Sequence, residues 1–227
     1  MSSPIFVYLK FSDYYQNYRQ YSNSLSLPQL RGDSADDLQT VCHPITKLDD
    51  LSIEENIYNY ENTKILKKST EANPCGLIAA SYINYTVSIG KGRDLYTIHS
   101  ADIEWESYES SKFENSGDDE YIDKENKRFV VWMRTAATKD FLKFYGKIED
   151  DLHGDLWVDL QDGVNFLDTS GKPCVFISTA NRLGGKNQVL GWTMVGCALG
   201  SFFWVIVFCV INRNQRDVSI DKIFSQK

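Results

Sequence analysis

The sequence predicts a mainly β chain: an antiparallel, β-sandwich-like ectodomain with a few short helices, followed by one C-terminal transmembrane helix. Three observations lead there. Short runs dense in β-branched and aromatic residues recur between polar, turn-forming stretches, as in an antiparallel sheet. Of 227 residues, 13 are Tyr, 12 Phe and 5 Trp, and 42% are hydrophobic. A chain of that composition buries a core and is not disordered throughout. Residues 189–211 then hold 23 positions without a charge, 18 of them apolar. As a helix that run is about 34 Å long, enough to cross a hydrocarbon core of about 30 Å.

Taken in order, residues 5–11 (IFVYLKF) read as a strand. Residues 13–21 (DYYQNYRQY) mix aromatic and polar side chains, as a short helix or turn packed on the sheet would. Residues 22–74 are polar and are expected to form a long excursion with little structure of its own, the kind of loop that is functional or pinned down. Further strands are expected over 77–89, 97–105 and 129–133, and a solvated charged loop over 114–127. Thr138 suits the N-cap of a short helix over 141–145, with Gly146 ending it. Residues 156–160 alternate an outward Asp159 with apolar neighbours, and Thr169, Ser170 and Gly171 make a turn before a strand over 174–178.

Charge sets the expected orientation. The tail 212–227 carries a net +2, which leaves −9 on residues 1–188. Trp192 marks one edge of the span, and Arg213 and Arg216 follow the other. The sequence is therefore divided into a luminal or extracellular ectodomain (1–188), a transmembrane helix (189–211) and a cytosolic tail (212–227). The first 30 residues show no basic stretch followed by an apolar one, the pattern of a signal peptide, which leaves either an unusual translocation or an N-terminally incomplete chain. The expectation is an N-terminally incomplete version of a longer protein.

Several function classes drop out. With 24 Lys+Arg against 31 Asp+Glu, the chain lacks the basic surface that nucleic-acid binding needs. Neither Asp118-Asp119-Glu120 nor Glu149-Asp150-Asp151 has EF-hand spacing, and both read as solvated loops. Leu183-Gly184-Gly185-Lys186-Asn187 lacks Walker spacing and precedes a span instead of a soluble helix. His43, His99 and His153 are too far apart in sequence for a metal-ligand motif, and no catalytic signature is present. No enzyme activity, cofactor or metal is expected.

Cys197 and Cys209 fall within the span, where a thiol acts as a small apolar group. Cys42, Cys75 and Cys174 face the oxidising side, so one pair can form and one cysteine is left over. Three pairings stay open on spacing alone; Cys42 with Cys75 would close the polar excursion. Asn84-Tyr85-Thr86 is a glycosylation acceptor in a luminal context. Gly196 and Gly200, four apart, leave a flat stripe where another helix can approach.

Five strings together resemble one family. Asn73-Pro74-Cys75-Gly76-Leu77-Ile78-Ala79-Ala80-Ser81, followed by the Asn84 acceptor, is similar to its Pro-Cys-Gly-x-Ile-Ala block. Trp132-Met133-Arg134-Thr135-Ala136-Ala137 with residues 141–145, and Gly184-Gly185-Lys186-Asn187 before the span, match two more. Asp13-Tyr14-Tyr15-Gln16-Asn17-Tyr18-Arg19 and Gln29-Leu30-Arg31-Gly32 fit its tyrosine-rich opening. This is the family of cell division control protein 50 and ligand-effect modulator 3, the beta subunits of phospholipid flippases.

The resemblance implies a non-catalytic accessory subunit in a heterodimer with a type IV P-type ATPase and in contact with membrane lipids. Such a subunit helps the pump leave the endoplasmic reticulum and supports aminophospholipid transport in the endoplasmic reticulum, Golgi or plasma membrane. It implies a disulfide between Cys42 and Cys75, Cys174 free, and a glycan on Asn84. Arg134, Gly184, Gly185, Lys186 and Asn187, with Gly196 and Gly200 in the span, become expected partner contacts, and Trp132 and Met133 are expected to pack in the sheet. The sequence departs from the family pattern by lacking the first span and the luminal cysteines after it, by Ala80 where Asn is usual, and by the extra Cys174. It contains no Asp-Lys-Thr-Gly, so hydrolysis would belong to the partner. The second reading is a single-span surface receptor or adhesion ectodomain acting without a pump.

Overall fold

The computed structural model describes residues 1, 3–101, 103, 112–117, 119–167, 172–179 and 188–224. It divides into two units, Met1–Ala180 and Asn181–Lys227.

In the first unit, β1 (Ile5–Phe11) is built on strict alternation. Ile5, Val7, Leu9 and Phe11 are buried, while Phe6 and Tyr8 are half-buried and Lys10 exposed on the opposite face. The polar excursion that follows is not structureless. It holds the short helices α1 (Arg19–Asn23), α2 (Leu27–Leu30) and α3 (Leu38–Val41), a 3-10 turn at Leu48–Asp50, and a hairpin of β2 (Ile57–Tyr58) and β3 (Ile65–Leu66). While Leu27, Val41, Tyr58 and Ile65 stay exposed, apolar residues spaced along it, among them Leu30, Leu38, Leu48, Ile57 and Leu66, enter the common core. Wide spacing hid them from a window reading.

The strand expected over 77–89 is a strand only in its second half. α4 (Leu77–Ala80) comes first, then β4 (Thr86–Lys91), which turns through Gly92 (φ +60) into β5 (Asp94–Tyr96). Of the strand expected over 97–105, the structure has only an isolated bridge between His99 and Lys147, and residues 102 and 104–105 lie outside the described residues.

Two expectations invert. Residues 129–133 lie in a helix, α5 (Lys127–Met133), started by Asn126, whose side chain accepts from the Arg128 amide. Phe129, Val130 and Trp132 share its buried face, a helical spacing that strand alternation cannot provide. The helix expected over 141–145 is instead β6 (Phe141–Ile148), because it pairs with β1 along its length and Gly146 lies inside the strand. The charged loop over 114–127 is also corrected in part: Glu120 and Lys124 are fully buried, because they pair with each other. β7 (Trp157–Gln161) and β8 (Cys174–Ser178) complete the unit; the turn at 169–171 lies outside the described residues.

The mainly β expectation holds. One antiparallel sheet has the order β6–β1–β8 and the other β5–β4–β7. Between them, Tyr145 sits at the register shift of β6 against β1, and its hydroxyl accepts from the Val87 amide of β4 at 3.0 Å. Inward residues of both sheets belong to one core cluster.

The second unit is α6 (Gln188–Phe224), 37 residues long. Its stretch Val189–Arg213 has a mean hydropathy of 2.5 and no buried residue. Such a surface suits lipid, and the helix satisfies its own backbone. The hydroxyls of Thr193 and Ser201 donate to the carbonyls of Leu190 and Cys197, so they add little unpaired polarity. The helix continues beyond residue 211 into the basic tail.

Candidate functional site

Strings distant in sequence meet in one buried node. The tyrosine-rich segment leaves β1 and runs to α1, where Gln16 is fully buried. Its Oε1 accepts from the Ala136 amide at 2.9 Å, and its Nε2 donates to the Tyr21 hydroxyl at 3.4 Å. The Tyr21 and Ser81 hydroxyls share a hydrogen bond of 2.6 Å. From α5, Trp132 Nε1 donates to the Ile78 carbonyl at 3.0 Å and to Ser81 Oγ at 3.3 Å. The rings of Phe11 and Tyr14 meet Trp132 edge-on, at 5.3 and 5.8 Å. Burial pushes the Tyr14 and Tyr21 phenols up, so both stay neutral donors. The node thus ties residues 14–21, 78–81 and 132–136 through side chains that satisfy one another.

A second clamp surrounds the disulfide. Cys42 and Cys75 are bonded, with Cα atoms 5.7 Å apart. Gln29 accepts from the Cys75 amide at 3.0 Å and donates to the Ala72 carbonyl at 3.2 Å. Ser24 Oγ donates to the Cys42 carbonyl and accepts from the Leu77 amide. Between them Gly76 takes φ +97, and a Cβ there would lie 2.2 Å from the Ser24 carbonyl oxygen. Only glycine fits so close a crossing. Behind Gln29, buried Lys124 donates to its carbonyl at 2.6 Å and pairs with Glu120 at 2.8 Å.

Lys143 on β6 closes the far end of α5. Its Nζ donates to the carbonyls of Val131, Trp132 and Arg134, groups that the end of a helix leaves without partners. Burial, and then the nearby Arg134 cation, push this ammonium down to about 7. The polar side chains of all three clusters are engaged with backbone groups and with one another. Their arrangement ties together the segments that carry them.

The expected site residues are spread over the fold. Asn84 is exposed just before β4, and its Oδ1 accepts from the Tyr82 hydroxyl. Arg134 is exposed at the end of α5. Cys174 is a free, exposed thiol on β8. Trp132 is buried on a helix, not in the sheet. Gly196 and Gly200 lie on α6, and a Cβ at either would meet nothing within 4 Å. Gly184, Gly185, Lys186 and Asn187 lie outside the described residues. Sequence reasoning missed Gln16, Ser24, Gln29, Lys124 and Lys143. Gln16 and Gln29 carried a signal, as amides inside strings that already stood out; the two lysines carried none.

A family model described as the LEM3 (ligand-effect modulator 3) family / CDC50 family matches residues 1–217. The chain is 32% identical to ALA-interacting subunit 3 of Arabidopsis thaliana, over 96% of its own length and 64% of the relative. It is 27% identical to cell cycle control protein 50A of Bos taurus, over 95% and 66%. It is also 25% identical to the phospholipid-transporting ATPase accessory subunit LEM3 of Saccharomyces cerevisiae, over 88% and 53%. The chain thus spans less than two thirds of the length of these relatives.

Proposed function

The chain belongs to the LEM3 / CDC50 family, and from that premise we propose that it is a non-catalytic accessory subunit of a phospholipid-translocating type IV P-type ATPase. The observation that carries the reading is the node itself. Of the strings that mark the family, those over 13–19, 73–81 and 132–137 meet in the node, and 29–32 joins 73–81 at the disulfide, their polar atoms binding one another and the backbone. A yeast relative is named an accessory subunit of a phospholipid-transporting ATPase.

In this reading residues 1–188 lie in the lumen or outside the cell, 189–211 cross the membrane and 212–227 are cytosolic. The ectodomain contacts the luminal loops of the pump through Arg134 and through Gly184, Gly185, Lys186 and Asn187. Gly196 and Gly200 give a pump helix a close approach within the bilayer. The subunit supports folding of the pump, its exit from the endoplasmic reticulum and the transport of aminophospholipids there, in the Golgi or at the plasma membrane. Cys42 with Cys75 staples the ectodomain, and Asn84 carries a glycan.

The test is affinity capture of the full protein from mildly solubilised membranes. A P-type ATPase should accompany it, and Gly196→Ile with Gly200→Ile should lower the recovery several-fold. Capture of no ATPase would support the receptor or adhesion reading instead.

A further inference from the structure

A cleft of about 430 Å³ opens beside Asn84, within the range of about 300–1,000 Å³ that small-ligand sites occupy. Its lining is aromatic and amide-rich, with Tyr58, Tyr82, Tyr121, Phe166, Asn56 and Asn84 among the residues that face it. The walls come from residues 53–62 into the β2–β3 hairpin, from Tyr82 and Asn84 before β4, from the segment before α5 and from residues 163–166 after β7. That last segment crosses against Asn84 so closely that a Cβ on Gly163 would lie 2.4 Å from the Asn84 carbonyl oxygen.

Three features point to a ligand. Tyr121 is only 4% exposed, and its hydroxyl is buried without a hydrogen-bond partner among the described residues, a state that native proteins rarely tolerate. Tyr58, by contrast, leaves 45% of its surface exposed at the cleft. Asn84 is held by one end: its Oδ1 accepts from Tyr82 at 3.2 Å, while its Nδ2 makes no hydrogen bond among the described residues. Nδ2 is the atom that carries an N-linked sugar. A pyranose offers an apolar C–H face to aromatic rings, and its hydroxyl and N-acetyl groups accept and donate hydrogen bonds.

We propose that this cleft seats the first N-acetylglucosamine of a glycan on Asn84, with its apolar face on the tyrosines and a polar group on the Tyr121 hydroxyl. The sugar then acts as a fixed part of the ectodomain wall. The proposal rests on the luminal placement of residues 1–188 given above.

The experiment uses the full protein from cells that attach high-mannose glycans. Trimming with an endoglycosidase that leaves one sugar on Asn84 should keep the melting temperature of the untreated protein. Asn84→Gln should lower it by about 2–4 °C. Tyr121→Phe should lower it in the single-sugar form but not in the Asn84→Gln background, and Tyr58→Ala should speed native removal of the whole glycan by peptide N-glycosidase. A modified Asn84 whose loss changes nothing, and whose glycan is removed equally fast from native and denatured protein, would overturn the seating alone. An unmodified Asn84 would overturn it together with the luminal placement. Recovery of an ATPase is scored in the same preparations, so the accessory-subunit reading is judged separately.

Discussion

At the scale of single residues, two glycines with positive φ serve different purposes. Gly76 (φ +97) passes under the Ser24 carbonyl, while Gly92 (φ +60) turns a hairpin into open space. A Cβ at Gly92 costs only the left-handed backbone, about 1–2 kcal/mol. At Gly76 it must also push the chain around Ser24 aside, so Gly76→Ala is expected to destabilise by roughly 3 kcal/mol or more. Chemical denaturation of the two variants in detergent compares them; equal midpoints would contradict the crowding. Lys143 adds a pH dependence. Its ammonium is pushed down to about 7 in the folded chain and titrates near 10.4 when unfolded. Between those values the unfolded state binds more protons, so this group's contribution to stability rises with pH from about 7 to about 10, by up to about 1.4 kcal/mol per pH unit. The parent protein should therefore gain stability relative to Lys143→Met across that window. A difference that is flat with pH would show that the three carbonyls keep the lysine charged.

At the scale of elements, pairing partners decided what local composition could not. The string FVVWM has strand composition yet forms α5, because Phe129, Val130 and Trp132 share one buried face. On that face Trp132 meets Phe11 of β1 and Ile78 of α4, while Phe129 meets Tyr82 and Phe113. The string FLKFY has a helix start before it yet forms β6, because β1 offers a complete antiparallel edge. β1 itself was legible residue by residue, since its alternation is uninterrupted. The contact between α4 and α5 gives an expectation of its own. Trp132→Phe removes the donor to the Ile78 carbonyl while keeping an aromatic ring, and should cost about 1–3 kcal/mol. Trp132→Ala should cost about 3–5 kcal/mol. Similar losses for the two would show that packing alone matters there. The disulfide joins α3 to the segment before α4. Replacing both Cys42 and Cys75 by Ser should cost roughly 3–4 kcal/mol from the freed unfolded chain, which a shift in the denaturation midpoint measures. A midpoint unchanged by the double substitution would mean that Gln29 and Ser24 hold the crossing unaided.

At the scale of the whole molecule, the long apolar helix and the sheet-rich unit before it were legible because each rests on a long or repeated signal. The 23 uncharged positions left little else to infer, and the aromatic runs implied a sheet. The buried polar network was not legible, because Gln16, Gln29, Lys124 and Lys143 have the composition of a surface and acquire partners only in three dimensions. The cleft at Asn84 was hidden for the same reason, as its walls come from four separate segments. The first unit is a sheet-rich body pinned by buried polar clusters, and the second is an apolar helix on which a Cβ at Gly196 or Gly200 would meet nothing within 4 Å; both suit the accessory role proposed above. The most direct measurement of that role is transport of a fluorescent aminophospholipid analogue in cells that lack their own accessory subunits and express a type IV P-type ATPase with or without this protein. The account expects headgroup-selective uptake only when both are present, together with pump that has left the endoplasmic reticulum. Equal uptake and equal pump export without this protein would contradict it.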